Sequence, residues 1–120
     1  MTDKVCYYER SKVNSMTIEQ KALREHKKLR GKIQVNCTCK VHGLKDLDWL
    51  YTPGVAEVSR EIARRPEAVW EMTSKWNNVA IVTDGSLVLG LGNIGAEAAI
   101  PVMEGKSLLF KLYGRVSAWP

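Results

Sequence analysis

The spacing of apolar and polar residues predicts a helix that begins near Thr17. The segment T-I-E-Q has the form of a capping box, in which Gln20 follows the capping threonine by three residues. Gly31 is the expected end of this helix, because glycine commonly follows the last helical residue. The helix carries only a partial apolar stripe, which consists of Ile18, Ala22, Leu23 and Leu29.

Two further helices are predicted in the middle of the chain. Val55, Val58 and Ile62 recur at helical spacing and indicate a helix over residues 55–65 with one buried face. Pro66 should end that helix and can occupy the first position of the next, over residues 67–75.

Extended segments are shorter and less regular. Residues 32–39 alternate loosely and indicate a short edge strand. Asn77 and Asn78 suggest a turn before a strand over residues 79–83. A second short strand at Leu87–Leu89 would follow an Asp84–Gly85 turn, an arrangement typical of a hairpin.

The last predicted helix runs from about Gly95 to Tyr113, with Pro101 marking a kink or a fresh start. Residues 1–16 carry no apolar period and are expected to form a mobile N-terminal arm, whose Tyr7 and Tyr8 could dock on a partner. Helices around a few short strands make residues 17–120 an α/β or α+β domain.

The length of 120 residues and an apolar fraction of 45% fit one soluble globular domain. The start of the chain lacks the apolar segment of a signal peptide, and no apolar run approaches the roughly 18 residues of a membrane span. Three cysteines without a C-x-x-C pair favour the reducing cytoplasm over a disulfide framework. A zinc site at Cys37, Cys39 and His42 is a minor alternative, because it lacks a clear fourth ligand.

The net charge of +5 is concentrated in residues 1–48, which hold eleven Lys or Arg against six Asp or Glu. No aromatic residue is interleaved with the central basic cluster and no nucleic-acid-binding motif accompanies it. A solvated helix face, or a surface that attracts an anionic substrate, is therefore favoured over a nucleic-acid site. The cluster comprises His26, Lys27, Lys28, Arg30 and Lys32.

A G-x-G-x-x-G pattern occupies Gly90, Gly92 and Gly95. In a dinucleotide-binding unit, an acidic residue about 20 positions further on holds the ribose. The chain has Lys111 and Arg115 in that region, so the pattern is weak evidence for a nucleotide. The alternative is a glycine turn that leads into a helix N-terminus, where free N–H groups can hold a carboxylate or phosphate.

Three blocks of sequence together resemble the amino-terminal domain of malic enzymes, especially the short prokaryotic type. They are L-Y-T-P-G-V-A at Leu50–Ala56, V-A-I-V-T-D-G-S-L-V-L-G-L-G-N-I-G at Val79–Gly95, and A-I-P-V-M-E-G-K-S-L-L-F-K at Ala99–Lys111. The resemblance covers roughly Leu23 to Pro120 and implies an α/β fold of helices around a few short strands. It also implies oxidative decarboxylation of malate to pyruvate and CO2 with NAD or NADP and a divalent metal, Mg²⁺ or Mn²⁺. Malolactic enzymes share this architecture.

The resemblance also implies roles for particular residues. Tyr51 matches the tyrosine that protonates the enolpyruvate carbon, and Lys106 matches the lysine that acts as general base toward the malate hydroxyl. A lysine is an effective base near neutral pH only when burial or a neighbouring cation lowers its pKa, and the apolar neighbours of Lys106 suggest partial desolvation. Gly90, Gly92 and Asn93 would line the substrate side of the cleft.

The metal ligands of malic enzymes and their Rossmann domain would lie beyond Pro120, so the chain resembles a truncated enzyme. We therefore expect it to be inactive without a nucleotide-binding domain in the same or a separate chain. A stand-alone dicarboxylate-binding or assembly module is the main alternative. Self-association into a homo-oligomer is expected, because the segment carrying Trp49, Tyr51, Trp70 and Trp76 has more aromatic surface than so short a chain readily buries.

Overall fold

A computed structural model of the chain describes residues 16–120. The predicted N-terminal arm, with Cys6, Tyr7 and Tyr8, therefore lies outside the described residues apart from Met16. The chain divides into two compact units, Met1–Arg30 and Gly31–Pro120.

The described part of the first unit is helix α1, Ile18–Leu29. The capping box is formed as the sequence predicts, because the backbone N–H of Gln20 donates to the Thr17 hydroxyl and the Thr17 N–H donates to the Gln20 side chain. Arg30 ends the helix in a left-handed conformation, one residue before the predicted Gly31. No residue of α1 is buried, and its apolar stripe is exposed.

The second unit contains four α-helices, one pair of strands and three single-turn 3₁₀ helices. The 3₁₀ turns are Leu44–Asp46, Pro66–Ala68 and Ser74–Asn77. The other elements are α2 Leu47–Leu50, α3 Val55–Arg64, α4 Val69–Met72, β1 Asn78–Ala80, α5 Ala96–Gly114 and β2 Ser117–Trp119. The mixed helix and strand content confirms the predicted α/β class.

Strands β1 and β2 form a parallel pair, with Asn78 opposite Ser117 and Ala80 opposite Trp119. Helix α5 connects them and packs against β2. Its inner face is built from Ala99, Met103 and Ser107, spaced four residues apart and all buried. Among residues 16–120, the other buried apolar residues are Ala68, Val88 and Ala118.

Two of the three strand predictions are wrong, and the third is met only in part. Residues 32–39 follow an irregular path and join no sheet, although their side chains alternate. The strand predicted over 79–83 is confined to Asn78–Ala80, so Asn78 belongs to the strand and not to a turn. Leu87–Leu89 is not a strand, and no hairpin forms at Asp84–Gly85, because the backbone there folds back on the start of α5.

The helix predictions are better met. The predicted helix over 55–65 is α3, but its apolar face is only half covered, with Val55 and Val58 each 36% exposed. Pro66 does begin the next helical segment, which is shorter than predicted and ends at Met72. Helix α5 has the predicted span and runs through Pro101.

A bidentate ion pair between Arg65 and Glu71 joins the end of α3 to α4. The Arg65 guanidinium donates from Nη1 and Nη2 to the two Glu71 oxygens, at 2.9 and 3.0 Å. These hydrogen bonds are the main cause that lowers the pKa of Glu71, and the positive charge of Arg65 is the second. A carboxylate whose pKa is depressed on folding stabilises the protein above its unfolded pKa, and that contribution is lost as the pH falls through its folded pKa.

We therefore expect Glu71→Gln to destabilise the chain at pH 7, and the difference from wild type to shrink once the pH is below the folded pKa of Glu71. Urea denaturation of both proteins at a series of pH values measures this difference. Glu97→Gln is the control, because Glu97 is exposed in the first turn of α5 and its replacement measures the effect of losing one carboxylate at a helix N-terminus without the loss of a bidentate ion pair. A stability gap between Glu71→Gln and wild type that is the same at neutral and acidic pH would contradict the assignment.

Candidate functional site

Tyr51 lies just after helix α2, where the backbone is held on both sides. Its N–H donates to the Leu47 carbonyl at 2.9 Å, and its carbonyl accepts from the Val55 N–H at 2.8 Å. The side chain is 66% exposed. The turn thus fixes the main chain of Tyr51 and leaves its phenol open to a ligand.

Gly54 makes this turn possible through close packing. A Cβ atom at this position would lie 2.7 Å from both the Asp48 carbonyl oxygen and the Trp49 Cα. The Gly54 N–H also donates to the Asp48 carbonyl at 2.8 Å. The Y-T-P-G segment is therefore folded tightly against the chain that precedes Tyr51.

Lys106 projects from α5 away from the buried inner face. Its side chain is exposed, and it lines an apolar cavity of about 310 Å³ with Leu109, Phe110, Tyr113 and Gly114. The expected apolar neighbourhood is therefore present. The expected desolvation is not reached within residues 16–120, since this cavity remains open to solvent.

The loop that precedes α5 is closed by hydrogen bonds to one carbonyl group. Ile94 and Gly95 both donate their N–H groups to the Gly85 carbonyl, at 3.1 and 3.3 Å. The Asp84 carboxylate accepts from the Ser86 N–H at 2.9 Å, and this bond lowers the pKa of Asp84. The role of Asp84 was not predicted, although the Asp-Gly-Ser sequence is typical of such a turn.

Gly90, Gly92 and Asn93 lie in this loop. Gly92 has φ +71°, in the left-handed region that favours glycine. Nothing lies within 4 Å of the position that a Cβ would take at Gly90 or Gly92. The first N–H groups of α5 receive no side-chain cap, so they remain available as donors.

Gly90, Gly92 and Asn93 lie close together in one loop, and this loop leads into α5, the helix that carries Lys106. About nine residues separate the first turn of α5 from Lys106, which amounts to roughly 13 Å along the helix. Because helical side chains tilt toward the N-terminus, Lys106 covers part of this distance. Tyr51 is not joined to Lys106 by a hydrogen bond or by a shared cavity within the part of the chain that the structure describes.

A metal site is not formed by residues 16–120. No three His, Cys, Asp or Glu side chains in this range lie close enough to hold an ion. Cys37 and Cys39 are free and exposed, and the contact that joins His42 to Asp46 is made by the His42 backbone N–H and not by its imidazole. The zinc alternative for Cys37, Cys39 and His42 is therefore not supported, and these residues do not provide the donor set for Mg²⁺ or Mn²⁺ either.

A membrane span is likewise not formed in this range. Among residues 16–120, no helix combines the length and apolar character that crossing a bilayer requires.

Known proteins match this chain in sequence and in structure. Residues 30–120 match the family "Malic enzyme, N-terminal domain". The bifunctional malic/malolactic enzyme of Bacillus subtilis is 49% identical over 105 residues, which are 88% of this chain and 26% of that protein. The NADP-dependent malic enzyme of Halomonas elongata is 48% identical over 100 residues, 82% of this chain and 24% of that protein.

A solved structure agrees. The crystal structure of the NAD-dependent malic enzyme of Thermotoga maritima superimposes with a TM-score of 0.79 at 50% identity, covering 82% of this chain and 28% of that one. The chain thus spans about a quarter of the length of these relatives. The resemblance that the sequence blocks predicted is confirmed, and this chain belongs to the malic enzyme family, whose N-terminal domain it matches.

Proposed function

We propose that the chain is the substrate-binding and acid/base part of a malic enzyme, which converts malate to pyruvate and CO2 with NAD or NADP. The observation that carries this proposal is the family match over residues 30–120, which includes both Tyr51 and Lys106. Residues 17–120 would form this domain. A cytoplasmic location fits three cysteines without a disulfide framework.

In this proposal Lys106 is the general base that takes the proton from the malate hydroxyl. Its exposed position beside apolar residues supports the role, because a ligand and further protein can reach it. A covering domain would also remove water from the apolar wall, and desolvation favours the neutral amine that a base requires.

Tyr51 is proposed as the acid that protonates the enolpyruvate carbon after decarboxylation. The fixed backbone and the exposed phenol support this role, since a general acid needs a defined position and access to the substrate. The hydroxyl would give its proton to the carbon and be reprotonated from solvent.

Gly90, Gly92 and Asn93 are proposed to face a malate carboxylate. The open space above the two glycines and the uncapped N–H groups of α5 support this placement, because a helix N-terminus favours an anion. Malate is shorter than the roughly 13 Å between this end of α5 and Lys106, so the lysine must extend toward the helix N-terminus to reach the same molecule.

The nucleotide and the metal are proposed to be held by another domain, in the same or a separate chain. Two of the relatives above, from Halomonas elongata and Thermotoga maritima, are named as NADP- and NAD-dependent malic enzymes, and residues 16–120 do not provide a metal donor set. The nucleotide supplies the hydride acceptor when bound, and the residues described here bind malate and move its protons.

A chimeric enzyme tests the proposal. This chain would replace the matched 105-residue segment of the Bacillus subtilis bifunctional malic/malolactic enzyme. We expect the chimera to reduce NAD or NADP with malate, measured by absorbance at 340 nm with Mn²⁺ present. The 120-residue chain alone should give no such reduction. An inactive but folded chimera would count against the proposal, and turnover by the chain alone would refute its dependence on another domain.

The second candidate function is assembly or dicarboxylate binding without catalysis. The exposed rings of Trp49, Trp70 and Trp76 favour a protein interface, and they also support our proposal that the chain forms a homo-oligomer. Sedimentation of the purified chain measures its association. A purely assembling module would keep its function when Tyr51 is replaced by phenylalanine, whereas the catalytic proposal requires the hydroxyl.

A further inference from the structure

The helical turn that precedes Lys106 has an unfavourable sequence. It runs P-V-M-E-G from Pro101 to Gly105, and these two end residues are the poorest helix formers. Proline lacks an N–H, and its ring crowds the carbonyl four residues earlier, at Glu97. Helix α5 nevertheless continues from Ala96 to Gly114 without a break. Contacts from outside the helix must therefore stabilise this turn.

The core supplies one set of contacts. Met103 and Ser107 are buried, with 5% and 2% of their surfaces exposed. Within the helix, the Ser107 hydroxyl donates to the Met103 carbonyl at 3.2 Å. The burial of these two side chains holds the inner face of α5 and leaves the outer side of the turn to be held by other groups.

Lys32 supplies the second set of contacts. Its backbone N–H donates to Oε2 of Glu104 at 3.2 Å, and its ammonium Nζ donates to the Pro101 carbonyl at 2.6 Å. One residue thus contacts the turn at two points, the Glu104 carboxylate through its main chain and the Pro101 carbonyl through its side chain. We call this arrangement the Lys32–Glu104 brace.

Gly31 allows the brace to close. Its φ is +123°, and a Cβ at this position would lie 3.2 Å from the other carboxylate oxygen of Glu104. The carboxylate therefore sits directly against the Gly31 backbone, where a larger residue would press on it.

The Pro101 carbonyl also connects the brace to the proposed catalytic residue. In an α-helix this carbonyl accepts the N–H of residue 105, the neighbour of Lys106. The Lys32 ammonium donates a charge-assisted hydrogen bond to the same oxygen, and such bonds are stronger than neutral ones, so the position of this carbonyl is held more firmly. A displacement of the Pro101 carbonyl would shift the backbone from which the Lys106 side chain projects.

We propose that Lys32 and Glu104 are positioning residues that hold the Pro101–Gly105 turn, and through it Lys106, in place. The part of this inference that concerns catalysis rests on the proposed function. Lys32 belongs to the basic cluster that the sequence suggested might attract an anionic substrate. Its ammonium instead has a backbone partner on α5, so its charge acts on the helix.

Hydrogen exchange on the 120-residue chain tests the brace without any activity. In Lys32→Met the ammonium is lost and the apolar stem is kept, and we expect amides 103–107 to exchange roughly tenfold faster, as for the loss of one charged hydrogen bond. Lys32→Arg, which keeps a charged donor, should remain close to wild type. Glu104→Ala should resemble Lys32→Met, and Glu97→Gln on the same helix should change nothing in this turn.

Unchanged exchange of amides 103–107 in Lys32→Met would overturn the brace. An increase spread evenly over α5, including residues 110–113, would also overturn it, because that pattern reports a general loss of stability. A local increase that Lys32→Arg does not show would support it.

The chimera tests the link to Lys106. We expect Lys32→Met to lower kcat for malate while KM changes little, and Lys32→Arg to restore kcat. Local loosening without a change in kcat would refute the positioning role and leave the brace as a structural contact. If the unsubstituted chimera is inactive, the proposed function fails by itself, and the exchange experiment still decides whether the brace exists.

Discussion

Replacing Lys106 by methionine in the chimera is expected to lower kcat for malate oxidation by about 100- to 10,000-fold, the usual contribution of a general base. Methionine keeps an unbranched apolar stem but has no group that accepts a proton. Because the base acts in the step that forms the oxaloacetate ketone, formation of NADH or NADPH itself should be lost. Absorbance at 340 nm with saturating malate measures this directly.

The control variant is Lys111→Met, on the same helix. Lys111 lies outside the cavity beside Lys106 and contacts Ser117 at 3.5 Å. Its replacement should leave kcat within about twofold of the chimera, in keeping with the small effects of ordinary surface changes. Equal losses for Lys106→Met and Lys111→Met would remove the reason to assign Lys106 a chemical role.

Tyr51→Phe should separate the two proton transfers. The phenylalanine variant keeps the base, so it should still oxidise malate and release CO2. Malate stereospecifically tritiated at C3 and turned over in D2O should give the unsubstituted chimera a pyruvate with a chiral CHDT methyl group. In Tyr51→Phe that methyl group should be racemic, because the enol would leave the site and be protonated by solvent. Retained stereospecificity would exclude Tyr51 as the acid.

Gly85→Ala is expected to destabilise the chain by about 2–4 kcal/mol, combining an unfavourable left-handed residue with an overpacked contact. Gly85 has φ +72°, and a Cβ there would lie 2.1 Å from the Gly95 carbonyl carbon and oxygen. The loop would have to move away from the start of α5. Urea denaturation of wild type and variant measures the loss.

Gly90→Ala is the matched control within the same loop. Gly90 does not have a positive φ, and its Cβ position is open, so the change should be within about 0.5 kcal/mol of wild type. If both alanine variants were equally stable, the close approach of Gly85 to Gly95 could not be what holds the loop.

The sequence predicted best the features that depend on neighbouring residues. The capping box at Thr17 and the span of α5 involve contacts within a few residues, and both are formed. Strand pairing is not local: Asn78 pairs with Ser117 across the whole of α5. No short pattern shows which strands will meet, so the hairpin prediction at Asp84–Gly85 was wrong.

The brace was missed for the same reason. The two hydrogen bonds of Lys32 reach residues 69 and 72 positions away. In the sequence, Lys32 is one member of a basic cluster, and Glu104 is an ordinary acidic residue of a helix. Only the folded chain shows that a backbone amide and an ammonium of one residue hold a single turn.

Burial was predicted less well than secondary structure. Periodicity correctly placed Val55 and Val58 on one face of α3, but both remain 36% exposed. A periodic pattern shows which face of a helix is apolar. It does not show whether the residues that cover this face belong to the same 120 positions.

The closure of the glycine loop has a consequence for how this site can evolve. Ser86 to Ile94 leave and return at the Gly85 carbonyl, and Val88 fills the interior of the loop with 2% of its surface exposed. Such a segment is a compact Ω-like loop with its ends together. Because its two ends meet, this loop can be replaced or lengthened without a change in the positions of β1 and α5. Under the proposed function, selection for a different substrate could thus act on this segment without rebuilding the helix that carries Lys106.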